Sequence, residues 1–124
     1  MTESKPQAGA ATLRAVLDAH VAAQNAQDAA AVMRQIHPDS PMFESTRQML
    51  SQLYINYRFA NELLEWGLVG VDRDYIYARM RLKTVKLEGP EFQNNQTDAV
   101  LILKPQADEL KIWAQFALSQ EPLA

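Results

Sequence analysis

Cysteine is missing from all 124 residues of the chain. Its absence excludes disulfides, thiolate catalysis and cysteine metal sites, and fits a reducing, cytoplasmic setting. Glycine occurs four times and histidine twice. The sequence accordingly has no phosphate-cradling glycine loop, no dinucleotide fingerprint, no Gly-x-Ser-x-Gly elbow and no His-x-x-x-His spacing. These gaps speak against nucleotide hydrolysis, serine hydrolase chemistry, and a metal or other cofactor. No window approaches the roughly 20 apolar residues of a membrane span. The first ten residues mix Glu3, Lys5, Pro6 and Gly9 with no apolar run, so no signal peptide is expected there. Twelve basic against fifteen acidic side chains leave a net charge of −3, too small an imbalance to call for nucleic acid or an anionic membrane.

What is present is patterned. With 48% hydrophobic and 22% charged residues, the chain suits one soluble domain. A mobile tail is expected over 1–10, a single domain over 11–120, and a short tail over 121–124. From Thr12, an N-cap residue, Leu13, Val16, Leu17, His20, Val21 and Gln24 recur at helical spacing and predict a first helix ending near Asn25. Asp28 opens a second, in which Ala29, Val32, Met33 and Ile36 share a face. After the link from His37 to Pro41, Ser40 caps a third helix that runs to about Tyr57, with Phe43, Thr46, Leu50, Leu53, Tyr54 and Tyr57 along one side.

The second half alternates with period two. In the stretch from Asp74 to Leu87, Ile76, Ala78, Met80, Leu82 and Thr84 fall on one side, and Tyr75, Tyr77, Arg79, Arg81, Lys83 and Val85 on the other. That is the pattern of a long strand with one buried face. A strand with a bulge or bend near Gly67 is predicted before it, over 59–71. A third is predicted over 92–104 after the Gly89-Pro90 turn, and a fourth from Leu110 to Leu118, in which Ile112, Ala114 and Phe116 alternate with Lys111, Trp113 and Gln115. Three helices followed by about four long antiparallel strands make an α+β layer arrangement.

Candidate functional residues are few. His37 and Asp39 form the one close pairing of a histidine with a carboxylate in a loop, the combination a general acid or base needs; the plainer alternative is a solvated turn. His20 lies on an apolar stripe, which suits either a core histidine or one aimed into a cavity. Tyr54 and Tyr57, one turn apart, can donate to a ligand carbonyl or simply pack. Along the third strand, Asn94, Gln96 and Asp98 share one face and Asn95 with Thr97 the other. The set that faces inward would supply the polar groups of a mostly apolar site. Met80 and Phe116 are expected on the wall of that pocket with Tyr54, Tyr57 and Gln96. Tyr77, Arg79, Arg81, Trp113 and Gln115 are expected on the opposite face, where aromatic and arginine enrichment favours a homodimer interface and Glu62 and Glu65 offer cross-strand partners.

The helical hairpin turning at Asn25-Ala26-Gln27-Asp28, the third helix, and the meander ending in Leu110-Lys111-Ile112-Trp113 together resemble the nuclear transport factor 2-like superfamily, and within it the polyketide-cyclase-like group. The resemblance implies a cone: a curved sheet around the helices, a pocket at the wide end, and a homodimer through the outer sheet face. It implies a range of roles, from steroid isomerases, dehydratases, cyclases and epoxide hydrolases to members that only bind or assemble. Many members carry a pair of short strands between the second and third helices, where the steroid isomerases keep their catalytic Asp. Here that place is taken by the link from His37 to Pro41, so the isomerase base has no counterpart. The sequence reading is a homodimer with a pocket for a small apolar molecule. Its alternatives are a cofactor-free isomerase, dehydratase or cyclase using His37, Asp39 or Asp98, and an assembly module working through its sheet face.

Overall fold

The computed structural model describes residues 10–123. The expected N-terminal tail falls outside the described residues except for Ala10, which opens the first helix. Three helices, α1 (Ala10–Ala26), α2 (Ala29–Arg34) and α3 (Phe43–Asn56), precede four strands, β1 (Arg58–Asp72), β2 (Tyr75–Glu88), β3 (Asn95–Gln106) and β4 (Glu109–Pro122). The strands form one antiparallel meander in the order β1-β2-β3-β4. No described helix is long and apolar enough to cross a membrane.

The register puts every second residue of β2 inward. Met80 stands opposite Trp66 on β1 and Ala99 on β3, and Ala99 opposite Ala117 on β4. Ile76, Ala78, Met80 and Leu82 are buried, and with Leu101, Leu103 and Ile112 they meet Leu13 and Leu17 of α1 to form the main core. A smaller cluster of Ala23, Val32 and Leu50 ties α1, α2 and α3 together.

Bulges decide where alternation fails. One was expected near Gly67; two flank it, between Leu63 and Glu65 and between Leu68 and Gly70. β4 has two more, which skip Trp113 and Leu118. Each skip reverses the phase of the strand. As a result Gln115 lies opposite buried Leu101 on the inner face, while Phe116 lies opposite Val100 on the outer face. The simple alternation expected for this strand had placed them the other way round. β4 also runs further than expected: Glu121 and Pro122 pair with Gln96 and Asn95, and the Leu123 N–H bonds to the Asn94 carbonyl.

Helix ends follow local chemistry. Asp28 caps α2 by accepting from the Ala31 N–H at 3.1 Å. α2 stops at Arg34, earlier than its apolar pattern suggests, because the chain turns into a one-bridge parallel strand on β4. The Ile112 N–H donates to the Gln35 carbonyl at 2.7 Å, and the His37 N–H donates to the Ile112 carbonyl at 2.8 Å. Ser40 then accepts from the Met42 N–H and donates to the Trp113 carbonyl, so α3 begins two residues later than the Pro41 start expected. Among the described residues, Gly89 is the one turn position where glycine is demanded. Its φ is +124°, and a Cβ there would lie 2.6 Å from the Asn56 carbonyl oxygen.

Candidate functional site

The inner face of the sheet carries neutral polar groups toward the end where β3 begins and β4 finishes. Asn61, Thr84 and Asn95 stand side by side on β1, β2 and β3, and Thr97 and Gln120 form the next step. The Thr84 hydroxyl donates to Asn61 Oδ1 at 2.9 Å, the Thr97 hydroxyl to Asn95 Oδ1 at 3.1 Å, and Gln120 Nε2 to the Thr97 hydroxyl at 3.3 Å. Of the two candidate sets on β3, the pair Asn95 and Thr97 is therefore the inward one. Thr84 was expected on this side of β2, but Asn61 and Gln120 were not anticipated from sequence; the signal was their registry across strands, which single-strand alternation does not show.

His20 is the more deeply buried of the two histidines. It is 3% exposed, with Nδ1 3.0 Å from Gln35 Oε1. Burial lowers its pKa, and the hydrogen bond with Gln35 opposes that shift only in part. One turn on, Gln24 buries its side-chain oxygen without a hydrogen-bond partner among the described residues.

The acid–base candidates lie elsewhere, apart from one another. His37 is buried at the β4 edge, its ring 5.1 Å from that of Trp113, and its Nδ1 accepts from the Asp39 backbone N–H at 3.1 Å. The Asp39 side chain is exposed, so the loop joins the two residues through the main chain. Asp98 points outward and pairs with Arg79 at 2.8 Å, which holds its carboxyl below the usual range. Glu62 pairs in register with Lys83 on the same outer face. Among the described residues no three His, Asp or Glu side chains gather as a metal site would require.

The five residues expected in the pocket do not share a wall. Met80 is in the core at 2% exposure, Tyr54 packs half-buried beside Leu50, and Tyr57 stacks on Phe59 at 5.1 Å. Gln96 and Phe116 are on the outer face, the first because β3 alternates about Asn95 and the second because of the β4 bulge. A groove of about 720 Å³ instead opens between α1, α2 and the β3–β4 turn. Ala15, Val16, Ala19, Ala31 and Leu110 form its floor, and Arg34, Lys111, Asp108 and Glu109 its rim.

The outer face gathers most of the residues expected at an interface. Tyr77, Arg79 and Arg81 project there from β2, beside Val100 and Ile102 of β3 and Ala114 and Phe116 of β4. Phe116 is 56% exposed. Trp113, skipped by the bulge, sits at the corner with the Lys104 ammonium 4.5 Å above its ring and Tyr75 beyond. Gln115 belongs to the inner face.

Comparison with known proteins identifies this geometry. Among curated proteins no sequence matches the chain. A solved structure of a proposed aromatic ring hydroxylase from Novosphingobium aromaticivorans superposes with a TM-score of 0.75 at 11% identity, covering 91% of this chain and 92% of that one. A ketosteroid isomerase-like protein from Erwinia carotovora atroseptica gives 0.65 at 15% identity over 88% and 95%. An uncharacterised protein with a cystatin-like fold from Caulobacter vibrioides gives 0.68 at 10% identity over 95% and 92%. At such identities the likeness is one of fold. The fold is nuclear transport factor 2-like, or cystatin-like, as the order of elements implied. By sequence, residues 15–123 match the family described as anti-sigma-I factor RsgI9, C-terminal domain.

Proposed function

From the premise that the chain belongs to the family of the anti-sigma-I factor RsgI9 C-terminal domain, we propose that it is a non-catalytic binding domain that works as a homodimer through the outer face of its sheet. The observation that carries this is the band of half-buried Tyr77, Val100 and Ile102 running to exposed Phe116 on that face, with Arg79 and Arg81 set among them. Partly exposed apolar surface interleaved with aromatic and arginine side chains is what interfaces select. The family description names a domain of a regulator, which supports binding over catalysis. So does the chemistry of the inner face, whose sheet rows hold amides and hydroxyls and no carboxylate. The test is sedimentation velocity across a concentration series. A dimer is expected for the wild type, and a folded monomer for Ile102→Glu. A wild-type chain that stays monomeric at the highest concentration overturns the reading.

The groove favours a second role beside the first. Its volume lies within the roughly 300–1,000 Å³ of small-molecule sites, and its floor is apolar with charges at the rim. It suits a small amphipathic molecule. Thermal-shift screening of wild type against Ala19→Trp, which fills the floor, tests this: a stabilising ligand should lose its effect in the variant.

A further inference from the structure

We infer that two copies of this chain interlock, with Phe116 of each seated in a hollow over Gly67 of the other. The inference rests on the homodimer reading above and adds the contact that would hold it.

Four residues stand in one line across the outer face: Phe116 on β4, Val100 on β3, Arg79 on β2 and Gly67 on β1. Three inter-strand spacings of roughly 4.8 Å put the ends of that line about 14 Å apart. One end is raised, because the Phe116 ring is more than half exposed. The other end is sunken. A Cβ built on Gly67 meets nothing within 4 Å, and a hollow of about 270 Å³ opens there, walled by Glu65, Val69, Arg79, Arg81 and Asp98. That volume falls below the roughly 300 Å³ at which small-molecule sites begin. It suits a single large side chain, and the guanidinium groups on its wall suit an aromatic one.

Symmetry connects the two ends. A two-fold axis lying in the interface, parallel to the strands and between β2 and β3, sets β4 of one copy against β1 of the other and β3 against β2. Heights along the strands are kept. Phe116 then meets Gly67 of the second copy, and the contact occurs twice, as a self-complementary interface requires. The same operation sets Arg81 against Asp98, Tyr77 against Ile102, and Gly70 against the small Ala114, since each pair shares a row across the sheet. Charge favours this axis over the perpendicular one. An axis across the strands would lay β2 on β2, bringing Arg79, Arg81 and Lys83 against their own copies, where like charges repel.

Sedimentation velocity on the full chain tests the interlock with Gly67→Val, with Phe116→Ala, and with an equimolar mixture of the two. Each variant alone should associate on the order of tenfold more weakly than wild type. The mixture should associate more tightly than either, because it restores one ring over one open glycine and sets Ala against Val at the other site. Gly67→Val should keep its melting temperature, since the position is open and valine suits a strand. If it melts early, Gly67→Ala repeats the measurement with a smaller obstruction. A Gly67 variant that dimerises like wild type, or a mixture no tighter than its components, overturns the interlock and leaves the homodimer standing. A monomeric wild type sinks both.

Discussion

Asn25 and Asn61 bond as two strands would. The Asn25 side-chain amide donates to the Asn61 carbonyl at 2.9 Å, and its oxygen accepts from the Asn61 N–H at 2.7 Å. Two residues on, Gln27 does the same: its amide donates to the Tyr57 carbonyl, and its oxygen accepts from the Phe59 N–H. Two carboxamides, one from the last turn of α1 and one from the turn after it, thus stand in for the missing neighbour of β1, which is an edge strand.

Removing the first of these surrogates should loosen the edge. Asn25→Ala deletes three hydrogen bonds at an exposed site, two to the Asn61 backbone and one from the Asn61 side-chain amide, so a loss of about 1–2 kcal/mol is expected in denaturant unfolding. Hydrogen exchange should speed up at Asn61 while Phe59, held by Gln27, stays protected. Equal exchange at both positions would show that the turn holds the edge as one unit.

The burial of His20, which its hydrogen bond with Gln35 offsets only in part, makes stability fall in mild acid. Burial keeps the folded-state pKa of His20 below its ordinary 6.5, so the unfolded chain takes up the proton first. The histidine's contribution is whole above pH 6.5 and is lost as pH falls from there toward its folded-state pKa. Asp98 and Glu109, whose pKa values are lowered by Arg79 and Lys111, lose theirs only in stronger acid. The melting temperature should therefore drop between pH 7.5 and 5.5 in wild type and drop less in His20→Gln. Equal slopes would remove His20 from the account.

Gly89 should be the least replaceable of the three described glycines. Gly89→Ala strains a φ of +124° and drives a methyl against the Asn56 carbonyl oxygen and the Tyr57 ring. A cost of about 1–3 kcal/mol follows from the backbone alone, with the overlap added. Gly67→Ala, with open space above it, should cost under about 1 kcal/mol. Chemical denaturation of the pair tests the contrast.

How far the sequence could be read depended on what set each position. β2 keeps its phase from Tyr75 to Lys86, and the alternation of Ile76, Ala78, Met80 and Leu82 gave its buried face directly. β4 has two bulges, which obey cross-strand geometry that one strand's sequence does not show, so Phe116 and Gln115 came out on exchanged faces. The inner polar row was half legible. Asn95 and Thr97 emerged as one of two sets, but choosing between them needed the register with Thr84 and Gln120. His37 and Asp39 were legible as neighbours, yet the bond between them runs through a backbone N–H, which side-chain identity cannot specify. The groove by α1 was invisible because Ala15, Ala19 and Ala31 look like ordinary helix formers until two helices place them together.

Met80 offers the sharpest check on the shared core. It stands between Trp66 and Ala99 with 2% of its surface exposed. Met80→Ala should cost about 2–5 kcal/mol, the range for emptying a buried site, whereas Met80→Leu, which nearly conserves volume, should cost under about 1.5 kcal/mol. Met80→Asp has no such refuge, because the inner rows beside it offer Ala99 and Ala117 and no cation, leaving a carboxylate in the core. That variant should lose its cooperative unfolding transition altogether. Arg79→Asp, one residue along on the outer face, should keep a full transition by circular dichroism. If the two variants melt alike, the division of β2 into a core face and an open face fails, and with it the basis for placing the interface outside.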